Sequence, residues 1–191
     1  MRICLLILIL ILNIQSWTKA DDIRDFEIEG MSLYESALNH FSKSFIKNNE
    51  EDYYKDNKYK TATISSNKFE IYQQVQITYK SNDQKFTLID INGIVDKNYN
   101  DCLKEIKIIA KNFDEMFPDT QKEDLYTYPH WQDESGKSVV SDMLWRFKNG
   151  DLIVLACYNW DTPYGKKNRY EDELRIAIGS KEFDDYLISL N

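Results

Sequence analysis

Apolar and polar positions change period several times along this chain, and each change marks an element. Asp25–Glu29 reads as a short edge strand ahead of Gly30. Ser32 and Glu35 then have the spacing of a capping box, in which each side chain satisfies the other residue's free backbone N–H. Leu33, Ala37, Leu38 and Phe41 follow as the stripe of an amphipathic helix. Phe45 and Ile46 sit on a second turn or helix before the polar run 48–52. That run lacks the alternating oxygen ligands and central glycine of a calcium loop, and reads as a solvated connection. Tyr59–Ser65 is a strand. In the next one Ile71, Val75, Ile77 and Tyr79 alternate with Tyr72, Gln74, Gln76 and Thr78, so it has one apolar and one polar face. Ser81-Asn82-Asp83 turns the chain into Phe86–Val95, where Gly93 suggests a bulge.

The longest helical pattern runs from Asp101 to Phe117, with Cys102, Leu103, Ile106, Ile109, Ala110, Phe113, Met116 and Phe117 on one side, and Pro118 stops it. A polar loop over 119–137 follows. Asn149-Gly150 is a hairpin signal, since both residues tolerate the positive φ of a type I′ turn. Met143, Trp145 and Phe147 precede it on one face, and Leu152–Tyr158, apolar on both faces, follows it as a central strand. Leu174, Ile176 and Ile178 form a last strand, and Ser180 caps a terminal helix bearing Phe183, Tyr186, Leu187 and Leu190. The fold class expected is α+β: an antiparallel sheet of about six strands in the order α-βββ-α-βββ-α, with amphipathic helices on one face. An echo between Tyr79–Asp83 and Phe147–Asp151 raises an internal duplication.

The first twenty residues belong to none of this. Arg2 is followed by the apolar run Ile3–Ile14 and a polar stretch ending in Thr18 and Ala20, the small residues that signal peptidase requires at −3 and −1. The run is shorter than the ~20 residues needed to span a bilayer, and two acids follow at once. We expect a signal peptide over residues 1–20, cleavage between Ala20 and Asp21, a single domain over 21–191 with no membrane span, and a periplasmic or secreted location. Removing Arg2 and Lys19 leaves 22 basic groups against 32 acidic ones, which argues against nucleic acid as a partner. Cys4 leaves with the leader. Cys102 and Cys157 remain, and in an oxidising compartment we expect them to form a disulfide.

Candidate chemistry is sparse. Gly136-Lys137-Ser138 resembles the end of a phosphate-binding loop, but Trp131 stands where that motif needs its first glycine, leaving an ordinary turn. His40 and His130 are the only histidines, no metal-ligand cluster surrounds either, and Cys102 on the apolar side of its helix is poorly placed to pair with His130 as a nucleophile. No cofactor motif is present, and no residue can be assigned a catalytic, metal or ligand-binding role. Acids near aromatic rings occur twice, Asp133 and Glu134 beside Trp131, and Asp161 beside Trp160 and Tyr164, the kind of pairing a glycosidase uses to grip and protonate a sugar.

Several stretches resemble a group of small exported proteins of streamlined marine bacteria for which no activity is assigned. They are Ala20–Ser32, Tyr54–Lys58, Ser135–Ser138, Ala156–Trp160 and Lys181–Asp185. The resemblance implies export and no particular chemistry. The function expected is a non-enzymatic exported module that binds a protein or envelope component. The alternative is a small periplasmic carbohydrate-active hydrolase using the acids of the 119–137 loop.

Overall fold

A computed structural model describes residues 22–190, so the leader and the expected cleavage between Ala20 and Asp21 lie outside the described residues. Among the described residues four helices, α1 (Lys43–Asn48), α2 (Tyr99–Met116), α3 (Thr162–Asn168) and α4 (Lys181–Ser189), accompany eight strands. The strands are β1 (Glu50–Glu51), β2 (Tyr59–Ser65), β3 (Gln74–Lys80), β4 (Asp90–Asp96), β5 (Gln121–Pro129), β6 (Val139–Arg146), β7 (Leu152–Asn159) and β8 (Glu173–Gly179). They form one antiparallel sheet in the order β1-β2-β3-β4-β8-β7-β6-β5.

The α+β class and antiparallel sheet agree with expectation, whereas the strand count and order do not: the sheet has eight strands, not six. Both additional strands are at its edges. β1 is two residues long, and β5 has no apolar face, being polar and mostly exposed along its length, so nothing in its periodicity separates it from a loop. Each half is a four-stranded meander preceded by a helix, and the halves meet where β4 pairs with β8. The echo noted above falls on non-equivalent hairpins, one between β3 and β4 and the other between β6 and β7.

Local chemistry explains the other departures. The stripe from Leu33 to Phe41 yields only a 3-10 turn, Ala37–Asn39. Tyr34 has φ 69°, outside the helical region, and Ser36 donates its hydroxyl to the Lys85 carbonyl rather than continuing a helix. Half of the capping box survives, with Ser32 N–H donating to Glu35 Oε1 at 2.8 Å. Instead of a strand over Asp25–Glu29 there is a 3-10 turn, Ile23–Asp25, and a single bridge from Ile28 to Met31. The Glu29-Gly30 pair that closes this bridge has φ of 51° and 76°. These are the two positive angles expected at Asn149-Gly150, where only Gly150 is positive (φ 92°), and Phe147 N–H returns to the Asp151 carbonyl. That hairpin is a three-residue turn with its left-handed residue at glycine. Gly93 sits in unbroken register, its missing side chain making room for the Tyr72 ring; the bulge lies in β5, between Glu123 and Tyr126.

The core is on one face of the sheet. Cys102, Ile106, Ile109, Ala110 and Phe113 of α2 are buried with Met143, Trp145, Ile153, Leu155, Leu174 and Ile176 from the strands, and with Ile23, Ile28, Met31 and Leu33 from the N-terminal segment. Cys102, in the first turns of α2, and Cys157 on β7 share this face and form the expected disulfide, with Cα atoms 5.8 Å apart. The helices do not share one face as expected: α4 lies over one end of the opposite face, where Phe183 and Tyr186 pack on Tyr59 and Ile89, and the rest of that face is uncovered.

Candidate functional site

Because side chains alternate across a strand, every residue between two core positions looks onto the open face. Among these are Gln74, Gln76 and Thr78 from β3, Asp90, Asn92, Ile94 and Asp96 from β4, and Glu173 and Arg175 from β8. The register aligns them: Thr61, Thr78, Asp90 and Gly179 in one row, Thr63, Gln76, Asn92 and Ala177 in the next. Together they floor a cleft of about 690 Å³. Its span along β4 from Asp90 to Asp96 is ~20 Å at the usual rise of a strand.

The floor is braced by its own hydrogen bonds. Arg175 donates Nε–H to Glu173 Oε1 at 3.0 Å, its Nη2 also reaches Glu173, and Nη1 donates to Gln76 Oε1 at 3.2 Å. The guanidinium carbon lies 4.6 Å from the centre of the Tyr158 ring. Gln76 in turn donates to Thr63 Oγ1 (3.1 Å) and the Tyr53 hydroxyl (3.2 Å), and Thr61 pairs with Thr78 at 2.9 Å. Asn92 donates to Asp90 Oδ2 at 2.5 Å, and the weaker Thr78 bond falls on the same oxygen. Such bracing fixes planar amide, carboxylate and guanidinium groups in one orientation, the preorganisation that recognition of polar groups requires.

Asp90 has an unusual proton affinity. Burial pushes its carboxyl up to about 7, against the opposing effects of Asn92, Arg175 and Thr78. An unfolded chain releases this proton near pH 4. The folded protein therefore holds a proton that the unfolded chain has lost, and folding stability falls as pH rises from about 4 to about 7. Asp90→Asn removes the effect. Its melting temperature minus that of the wild type is expected to grow from pH 4 to pH 7 and to level off above pH 8; a constant difference would show that Asp90 titrates normally.

Aromatic rings wall the other end. His130 lies between Trp160 (centroids 4.4 Å) and Trp131 (6.1 Å), and Trp160 contacts Tyr170 at 4.6 Å and Tyr164 at 5.9 Å. α3, with Pro163 in its first turn and Arg169 ending it at φ 60°, brings Tyr164 and Tyr170 to this cluster. Trp131, 64% exposed, stands at the lip. Burial, and then the positive charge of Arg175, lower His130 to about 4, and its Nδ1 accepts the Gln132 N–H at 3.2 Å, so the ring is neutral at pH 7.

The residues singled out from sequence divide accordingly. Trp131, Trp160 and Tyr164 do meet. Asp133 does not join them chemically: it accepts from Ser138 Oγ (2.6 Å), Ser138 N–H (2.9 Å) and Ser135 N–H (3.0 Å), bonds that hold its carboxyl far below the ordinary range. It organises the turn containing Gly136 (φ 70°), and the Ser138 hydroxyl also receives the Asp161 N–H. Glu134 is exposed. Nearly half of the 119–137 segment, Gln121–Pro129, is strand β5 rather than loop. His40 pairs with Glu35 at 2.8 Å, and the disulfide leaves Cys102 without a thiol for His130. Among the described residues no three His, Cys, Asp or Glu side chains are grouped to hold a metal, and no helix is long and apolar enough to cross a membrane. Asp90, Asn92, Glu173 and Arg175 escaped the sequence reading. Their signal was the polar alternation of the strands, already visible over Gln74–Thr78 in β3.

Comparison with known proteins finds no matching family model, curated protein or solved structure.

Proposed function

We propose that this chain is an exported, non-enzymatic binding module that holds an envelope component or a protein partner on the open face of its sheet. The cleft carries this reading: a braced polar floor with an aromatic lip, on the face that the core helix leaves uncovered, within the 300–1,000 Å³ usual for ligand sites. The leader-like first twenty residues and the resemblance to small exported marine proteins support export, and the disulfide suits an oxidising compartment. Hydrolysis by Asp133, the buried acid beside the aromatic lip, would require it to leave Ser135 and Ser138, so we favour binding.

Filling the cleft tests the reading. Asn92→Trp places an indole over the floor beside Arg175. A soluble envelope extract is expected to raise the melting temperature of the wild type by several degrees and that of Asn92→Trp by less than one. Equal shifts, or none in either protein, would count against the open face as the binding surface.

A further inference from the structure

The polar cleft continues into an apolar groove. Beyond β8 the same face of the sheet carries Val140 and Leu144 from β6, with Asp142 between them accepting from the Tyr128 hydroxyl at 2.6 Å, and Leu152, Val154 and Ala156 from β7. Ile188 and Leu190 at the end of α4 overhang this floor, enclosing about 490 Å³. The two spaces share Asp90, Asn92, Trp131, Tyr158 and Arg175 among their walls, so they form one continuous groove whose lining changes from hydrogen-bonding to mainly hydrocarbon across the β4–β8 pair. Ile188 and Leu190 are 63% and 52% exposed, at the rim of an apolar floor rather than scattered singly. An entirely polar ligand would leave the hydrocarbon half wet, and an entirely apolar one would strip water from the floor amides and carboxylates without replacing their hydrogen bonds.

We propose that the groove holds an amphiphile, with an uncharged polar head over β3, β4 and Arg175 and an alkyl chain over β6 and β7. This deepens the binding-module reading and rests on it. The charge of the head follows from the lining. Glu51, Asp90, Asp96, Glu171 and Glu173 face the polar half against Arg169 and Arg175, and Arg175 is already engaged by Glu173 and Gln76. An anionic head would meet more carboxylates than free cations. A polyhydroxylated head fits better, because hydroxyls both donate and accept, and the planar side chains of Asn92, Asp90 and Glu173 offer fixed acceptors and donors to them. The indole of Trp131 provides an apolar face at the lip.

Tryptophan fluorescence of the purified protein, titrated with compounds kept below their micelle concentrations, tests this. Dodecyl maltoside supplies head and chain together, maltose the head alone, and dodecanoate the same chain length with an anionic head. Saturable binding of dodecyl maltoside is expected, at least tenfold tighter than either maltose or dodecanoate. Ile188→Asp, at an exposed position where folding is not at stake, should weaken it at least tenfold, as should Asn92→Ala. Maltose binding as tightly as dodecyl maltoside would overturn the chain assignment, and dodecanoate binding as tightly would overturn the uncharged head. If none of the three binds while the envelope extract still stabilises the wild type and not Asn92→Trp, the amphiphile is rejected and the binding module survives. If the extract also fails, both are rejected.

Discussion

Replacing Cys102 and Cys157 together by alanine is expected to lower the stability of the folded protein by about 4 kcal/mol. The bridge joins residues 55 apart, and the chain-entropy model gives a loop of that length ~4 kcal/mol through restriction of the unfolded state. The loop it closes contains most of α2, all of β5 and β6 and the hairpin into β7, so the reduced chain has far more conformations to lose on folding. Both cysteines are fully buried on the core face, and alanine there also loses packing around each sulfur. Urea denaturation of the double variant against the oxidised wild type measures the difference. A loss under 1 kcal/mol would mean that the bridge constrains little that the core does not already hold.

Phe113→Ala should have a comparable effect, ~3–5 kcal/mol, as a large aromatic deletion in a packed core. The ring is 4% exposed and meets three others edge to face: Phe26 at 5.4 Å, Phe117 at 5.7 Å and Trp145 at 5.4 Å. It therefore connects the N-terminal segment, the end of α2 and strand β6, and no single neighbour can fill the space it leaves. Ile108→Ala on the same helix, at a half-exposed position, should change stability by under about 0.5 kcal/mol. Urea denaturation of both variants is the check. Similar losses at the two positions would mean that α2 does not present this face to the sheet.

How much of this was legible beforehand depended on burial. α2 was readable because five of its residues bury on one side at helical spacing and Pro118 ends it, and its observed bounds differ from those expected by a residue or two. The disulfide followed from placing Cys102 on that side and Cys157 on the apolar strand beneath. β5 and α3 were not readable. One is a polar edge strand held by its ladder to β6, and the other is a short surface helix made by capping and a proline rather than by an apolar stripe. The helix expected over Leu33–Phe41 failed for the reverse reason. Its spacing was helical, but Leu33 and Ala37 are buried by bonds to a distant segment, with Tyr34 N–H donating to the Leu88 carbonyl and Ala37 N–H to that of Phe86. The site depended on pairing more than on pattern. Alternation shows that Asn92 and Arg175 each face away from a core position, but only the β4–β8 pairing brings their strands together. The aromatic lip was half visible, since Trp131, Trp160 and Tyr164 stood out as rings beside acids, although it is the rings that line the cleft while Asp133 serves the turn.

The most direct test of the open face uses the distribution of tryptophans. Trp131 and Trp160 line the cleft, whereas Trp145 is buried on the opposite face with its indole N–H on Asp114 Oδ1 at 2.9 Å. In ¹⁵N-labelled protein each gives its own indole N–H signal. Addition of the envelope extract is expected to shift the Trp131 and Trp160 signals and leave that of Trp145 in place. A shift confined to Trp145, or unchanged spectra at saturating extract, would contradict the account.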